Sequence, residues 1–576
     1  MATTTPFREI WFTDFEFQAL DGERPWPVCM VARELRSGRV IRLWRNDLLS
    51  LHQAPFDTGP ESVLVAYFAS AELGCFLELG WSLPANVLDL FVEHRVDTNG
   101  HRLLTDNSLL GALALRGLSR IEVAEKDSMR KLVCDQSDWS SEERMDILSY
   151  CESDVSALEA LFKAVEGRID WPRALYRGRY MAAVARMERT GIPIDTILHR
   201  AFVHGWDGVR ERLVATVDRD YGVYDGLTFK SSRFNRWLRQ NEIPWPRRPS
   251  GALRLDDDTF KSQEKLWPIV SPLRELRQSL HRLHLADLKI GSDKRSRTLL
   301  SPFRSVTGRN QPSAKQFAFG PSRWQRGVIK PPDGYGIAYI DYASQEICIA
   351  AGLSGDERLI EAYLDGDPYI AFAKQAKLVP PDATSTSHKV VRDRCKEVVL
   401  GLNYGIGAET MAMKSGMSPA EARELIYHHK RTYRDFWRWS DATVEEAFFT
   451  NEIRSVFGWK RRIRSTDKPT SLMNFPMQAN GAEMMRIAAI AATEAGIEVC
   501  APVHDAFLII APLDRLDDDV GLMRELMAQA GIAVTGGVPI RTDAKVVKYP
   551  DRYMDPRGSI MWNRVVHLLN MPEARV

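Results

Sequence analysis

Two acidic strand signals lie far apart in this chain and constrain it more than any other feature: YIDYASQE at 339–346 and VHDAFLII at 503–510. In each, apolar residues build a strand and one carboxylate sits near its end. A fold that pairs the two strands brings Asp341 and Asp505 together as a clamp for two divalent cations, an arrangement suited to phosphoryl transfer. The sequence therefore has to close a long intervening stretch over one acidic site.

A length of 576 residues exceeds one ordinary core, and 44% hydrophobic residues suffice for several domains. Net charge is only +1, which neither demands nor excludes nucleic acid, so local charge carries the argument. The seven cysteines contain no CxxC pair, which argues against a zinc module or a disulfide framework and suggests reduced core thiols in a cytoplasmic protein. No window is apolar enough for a membrane helix, and MATTTPFREI lacks the apolar core of a secretory signal.

The opening of the chain has strand-like runs, REIWFTDFEFQ and WPVCMVARELRSGRVIRLW, with RSG as a hairpin turn. VLVAYFA and NVLDLFV predict two further strands around a helix at ELGCFLELG, giving an α/β domain. A helical bridge ends at MERTGIPID, where Gly191 and Pro193 stop the periodicity. Next comes a basic stretch, FKSSRFNRWLRQNEIPWPRRPS, whose Arg233 and Arg236 can meet a phosphate backbone, with Trp237 and Trp245 as packing or stacking groups. Arg309 is the sharpest residue of the basic, turn-rich segment that follows.

In VRDRCKEVVLGLNYG, Arg392, Lys396, Leu400 and Tyr404 recur every four residues and share one helical face. Two cations there suit a triphosphate, and Leu400 and Tyr404 suit a sugar and base. Gly405 and Gly407 let the backbone turn behind them. An amphipathic surface helix would explain the spacing alone; the acidic strands favour the nucleotide role.

TGRN, DYASQE, RDRCKEVVLGLNYG, NFPMQANGAEM and VHDAF together resemble the family A DNA polymerases of the bacterial polymerase I type, over roughly 180–550. The resemblance implies an α/β multidomain fold: an RNase H-like exonuclease domain followed by a right-hand palm, fingers and thumb. It implies boundaries at 1–163 (exonuclease-like), 164–200 (bridge), 201–300 (thumb), 301–355 (first palm part), 356–449 (fingers) and 450–576 (second palm part). By the same resemblance Asp341 and Asp505 hold metal, Arg392 and Lys396 hold phosphates, and Tyr404 borders the nascent pair. Glu346 is the steric gate against a 2′-hydroxyl. Arg309, Asn474 and Gln478 touch the primer–template minor groove, and His504 orients the primer end. Cys348, Leu400, Ala506 and Tyr369 depart from the family pattern without removing a metal ligand.

Asp14 and Glu16 share one strand face, and Tyr150 and Asp154 share one helix face. The set resembles the DEDDy 3′–5′ proofreading exonucleases. Glu72 is the preferred match to the missing acid because it starts the helix after VLVAYF, and Asp89 is the competitor. The expected cofactors are two Mg2+ ions in each site, with Mn2+ as an alternative. The expected partners are primer–template DNA and deoxynucleoside triphosphates, with a helicase or processivity factor besides, acting on a monomer. A chain without a 5′ nuclease and with a compact 200–300 segment suggests a phage or prophage replicase in the host cytoplasm. The rival readings are a single-subunit phage-type RNA polymerase, a non-catalytic scaffold and a plain nuclease.

Overall fold

Strand β1 (Glu9–Gln18) organises the N-terminal part of the chain. A computed structural model describes residues 5–118, 123–280, 284–320, 322–415, 417–571 and 574, so the first four residues of the MATTTPFREI start lie outside it. β1 runs antiparallel to β2 (Trp26–Glu34), which pairs with β3 (Val40–Trp44) through the expected turn, where Gly38 has φ +70°. On its other side β1 runs parallel to β4 (Ser62–Ala66), and β4 to β5 (Val87–Asp89). The order β3-β2-β1-β4-β5 is that of an RNase H-like sheet.

Alternation along β1 decides what each face packs against. Phe15 meets Phe76 of helix Ser70–Glu78 edge-on, while Phe12 meets Phe162 of helix Ser141–Val165 on the opposite face. The strand expected through NVLDLFV is shorter than its apolar run suggests. It stops at Asp89, whose carboxylate takes the Phe91 and Val92 N–H groups and caps helix Leu90–Thr98.

The C-terminal sheet has the order β7 (Glu498–Val503), β8 (Ala506–Pro512), β6 (Tyr335–Tyr342), β9 (Thr542–Lys548), all antiparallel. Helices Pro469–Glu494 and Leu516–Thr535 belong to the core around it. The expected helical insertion between β6 and β7 is present and includes helix Lys389–Asn403. In the 201–300 region Trp237 and Trp245 are buried against Phe234. They pack; they do not present rings for stacking with bases.

Helix Trp171–Thr190 joins the two sheets. Gly178 lets it approach β5 so closely that a Cβ there would lie 1.8 Å from the Val87 carbonyl oxygen. The Arg177 guanidinium meets the Glu93 carboxylate with both forks at 2.8 Å, with Arg177 buried and Glu93 partly so. At the end of this helix Glu188 accepts the Leu300 N–H at 2.7 Å, and burial pushes its carboxyl from 4.5 up to about 7. Its folded value exceeds its unfolded one, so the folded chain binds the extra proton and stability falls as pH rises from about 4.5 to about 7. Glu188→Gln is therefore expected to raise the melting temperature at about pH 8 and to leave it nearly unchanged at about pH 5, read by thermal melts at both values.

Candidate active sites

Pairing within the C-terminal sheet brings the two acidic strand signals together. Asp341 lies opposite Ala506 on one side and opposite Asp543 on the other, and the Tyr342 N–H donates to the Asp505 carbonyl at 3.0 Å. Asp505 sits with His504 in the two-residue turn between Val503 and Ala506, and His504 takes φ +59°. Such hairpins favour glycine at a positive φ, so a histidine there is a local strain held by the surrounding sheet. Burial, followed by the Asp505 and Asp543 charges, pushes Asp341 up to about 6. Asp543 was not singled out in the sequence, because only the register of β9 against β6 reveals it.

A cavity of roughly 310 Å3 opens beside these acids, lined by Arg309, Glu346, Leu400, Tyr404, His504 and Asp505. The Tyr404 hydroxyl donates to Glu346 Oε1 at 2.8 Å, and burial together with that carboxylate pushes Tyr404 up to about 12. Gly405 follows with φ +64°, and a Cβ there would meet Thr470 at 2.6 Å. Gly407 has open space around its Cβ position, so only the first of the two glycines is sterically required. Along helix Lys389–Asn403 the Arg392 guanidinium and the Lys396 ammonium lie 5.1 and 5.5 Å from the Tyr369 ring centroid. Asp367 accepts from Arg392 Nε at 2.8 Å and Asp393 from its Nη1 at 3.0 Å, which fixes the guanidinium, while Lys396 is exposed.

Helix Pro469–Glu494 supports the cavity from below. Arg309 Nε donates to the Gln478 carbonyl at 3.3 Å, and the Gln478 side chain bonds the Tyr404 hydroxyl. Asn474 is buried and donates to the Asn403 carbonyl at 3.1 Å, so it anchors the end of the cationic helix. Arg233 and Arg236 are exposed on helix Ser231–Gln240, away from this cavity, and Arg233 donates to the Tyr224 carbonyl.

A second acidic group forms on the face of β1 that meets helix Ser141–Val165. The Cys151 thiol lies 3.3 Å from Asp14 Oδ2, and Tyr150 bonds Asp154 through its hydroxyl and feels the Glu16 and Asp14 charges. Asp154 is buried. Glu72 is 5% exposed, and its Oε2 has no hydrogen-bond partner. Burial, then the Asp14 charge, pushes Glu72 well above the usual carboxylate range. Asp89, the competitor for this role, spends its oxygens on the N–H groups of Phe68, Ala69, Phe91 and Val92. An orphaned buried carboxylate oxygen facing other carboxylates fits a divalent cation and fits no side-chain donor present. Asp341 fits in the same way, since burial and then the neighbouring Asp505 and Asp543 charges raise its carboxyl.

One charged pair lies beneath the C-terminal site. Glu483 and Arg486 are each 2% exposed and meet at 3.0 Å; Tyr176 and Ser455 hydroxyls donate to Glu483, and Arg486 donates to the Gly308 carbonyl next to Arg309.

A four-stranded sheet with opposed carboxylates, faced by a helix bearing two cations, belongs to the right-hand class of nucleic-acid polymerase folds. Residues 291–549 match the model of DNA polymerase family A. DNA polymerase I of Chloroflexus aurantiacus is 26% identical over 377 residues, 59% of this chain and 39% of the relative, so the match spans well under half of that relative's length. The DNA polymerase of Mycobacterium phage D29 is 28% identical over 263 residues, 45% of this chain and 42% of the relative. Among solved structures, the POL domain of Pol1 from M. smegmatis, in complex with DNA primer-template and dNTP, superposes with a TM-score of 0.70 at 19% identity. That superposition covers 93% of this chain and 95% of the other, and it speaks to fold.

Removing one partner of a buried ion pair leaves the other charge uncompensated. Arg486→Met is expected to destabilise the chain by roughly 3–5 kcal/mol, measured by denaturant unfolding; a loss below about 1 kcal/mol would show that Glu483 is satisfied by its hydroxyl donors alone.

Proposed function

We propose that this chain is a template-directed DNA polymerase that extends a primer 3′-OH with deoxynucleoside triphosphates, and that its N-terminal acidic site removes nucleotides from a 3′ end. The observation that carries the first part is the adjacency of Asp341 and Asp505 beside the Glu346–Tyr404 pair. The family match supports it. The boundaries proposed for the working parts are 1–163 for the exonuclease, 164–200 for the bridge, 201–300 for the thumb, 301–355 and 450–576 for the palm and 356–449 for the fingers.

Asp341 and Asp505 would hold the divalent cations of the synthesis site. Asp14, Glu16, Glu72 and Asp154 would hold those of the second site. When bound, such cations lower the pKa of an attacking oxygen and offset charge on the leaving oxygen. The chain's own residues do the rest. Arg392, held by Asp367, and the exposed Lys396 receive triphosphate oxygens, the first as a fixed fork and the second as a point charge. Glu346 occupies the floor of the cavity, where it crowds a ribose 2′-hydroxyl, and the Tyr404 hydroxyl keeps it in that position. Arg309 and Gln478, joined at 3.3 Å, would contact the primer–template minor groove, where shape-dependent contacts suit any correct pair. In the N-terminal site Tyr150 is held neutral by burial, so it can donate to a water or phosphate oxygen and orient it.

A primed template incubated with dNTPs and Mg2+, read on a sequencing gel, tests both activities. Asp341→Ala and Asp505→Ala are each expected to lower extension on the order of a thousandfold, the loss of several kcal/mol of transition-state stabilisation. Asp154→Ala is expected to stop shortening of the 3′ end while extension continues. Extension that survives both aspartate changes would reduce the chain to a scaffold. Glu346→Ala is expected to raise the use of ribonucleotides over deoxyribonucleotides by about tenfold or more in single-nucleotide incorporation, and an unchanged ratio would remove Glu346 from sugar selection.

A further inference from the structure

Helix Ser141–Val165 turns one more donor toward the N-terminal acids. Cys151 follows Tyr150, is fully buried, and its sulfur lies 3.3 Å from both the main-chain oxygen and Oδ2 of Asp14. One ligand atom each from Asp14, Glu16 and Cys151 lies within 4.8 Å of the other two, the span of a single cation's coordination sphere. A separate residue points to the same ion. Glu72 comes from another helix, is 95% buried by its 5% exposure, and keeps Oε2 without a partner beside the Asp14 charge.

We propose that the N-terminal site accepts a thiophilic divalent cation, Zn2+ foremost, with the Cys151 sulfur as a direct ligand beside Asp14 and Glu16. This deepens the reading of that site as metal-dependent and rests on it. Mg2+ takes oxygen donors in octahedral geometry and gains nothing from sulfur, whereas Zn2+ binds thiolate, carboxylate and imidazole with few ligands. A mixed set of two carboxylates and one sulfur, with a third carboxylate near, therefore ranks Zn2+ above Mg2+. Binding breaks the S–H bond and forms a sulfur–metal bond, the proton leaves to solvent, and no electrons are transferred. The structural rival is a small thiol that fills the gap between helix and sheet and donates weakly to Asp14. Cys29 makes the control, because it stands opposite Glu16 on β2 and bonds Cys151 without joining the ligand set.

The test uses the full chain stripped of metal and titrated with Cd2+, whose thiolate-to-metal charge-transfer absorption in the ultraviolet reports sulfur ligation directly. Zn2+ affinity is then read by displacement of Cd2+, and Mn2+ affinity by calorimetry. The band is expected in the wild-type chain and in Cys29→Ala, and to be absent from Cys151→Ser and Cys151→Ala. In the Cys151 variants Zn2+ affinity is expected to fall about tenfold or more while Mn2+ affinity holds. Circular dichroism selects whichever of the two keeps the native fold. A band that persists without Cys151, no band in any form, or unchanged Zn2+ affinity overturns the proposal. Glu72→Gln and Asp14→Asn separate the two levels of failure. If they weaken Mn2+ and Zn2+ binding while Cys151 does not matter, only the sulfur ligand is wrong; if they too change nothing, the metal-dependent reading of the site falls with it.

Discussion

A buried ion pair, Glu483 with Arg486, underpins the C-terminal acidic site. Two charges this deep are costly unless they are hydrogen-bonded, and here their partners come from three segments outside their own helix. Tyr176 supplies a hydroxyl from the bridge helix, Ser455 from the short hairpin, and the Gly308 carbonyl takes the guanidinium, whose face meets the Phe303 ring at 4.8 Å. The pair thus ties the TGRN loop to the helix that carries Asn474 and Gln478. Arg309 sits one residue beyond an anchored carbonyl, so its reach toward the cavity is set by a network buried beneath it.

Rigidity of that kind is needed because the site above it is destabilising by itself. Asp341 faces Asp543 directly across a strand pair and Asp505 at the adjoining turn, and like charges opposed on neighbouring strands repel. The sheet tolerates this because the backbone ladder of β6 is satisfied on both sides and His504 is kept at a positive φ. Such opposed carboxylates would favour a divalent cation, as proposed for both acidic sites. In the N-terminal site burial adds to the effect, since Glu72 has neither water nor a donor at Oε2.

What was legible in the sequence follows from range. The β6 and β8 strands and the ladder of Arg392, Lys396, Leu400 and Tyr404 announce themselves through period two and period four, which are local properties. The hairpin at RSG and the start of the helix bearing Glu72 are local too. Asp543 was invisible because nothing in TDAKVV says which strand it pairs with. Asn474 was expected to face a groove, but an amide in a mostly apolar helix serves equally well as a buried anchor, and here its donor goes to Asn403. Trp237 and Trp245 could pack or stack, and only the surrounding Phe234 and Phe260 decide for packing. The charges at 483 and 486 carried a signal that was passed over: two ionisable residues three apart inside a near-continuous apolar run are too costly to leave unpaired.

The bridge helix links the two acidic sites mechanically. Its consecutive residues Tyr176 and Arg177 point opposite ways, the first to Glu483 in the C-terminal core and the second to Glu93 behind the N-terminal sheet. Both contacts are at least partly buried, and Gly178 then presses the same turn of helix against β5 with no room for a methyl group. Hinge motion between the sheets would have to break the helix's contact with one side, either the bidentate Arg177–Glu93 ion pair or the Tyr176 hydrogen bond to Glu483. Domain closure is therefore an expensive route for bringing the sites together, and the separation between them is effectively a constant of the fold. Under the proposed function, a 3′ end extended at one site and trimmed at the other would have to cross that distance itself, by unpairing from its template. The cost of unpairing is lowest at a mismatch, so under the proposed function a fixed distance between the two sites would favour trimming of errors.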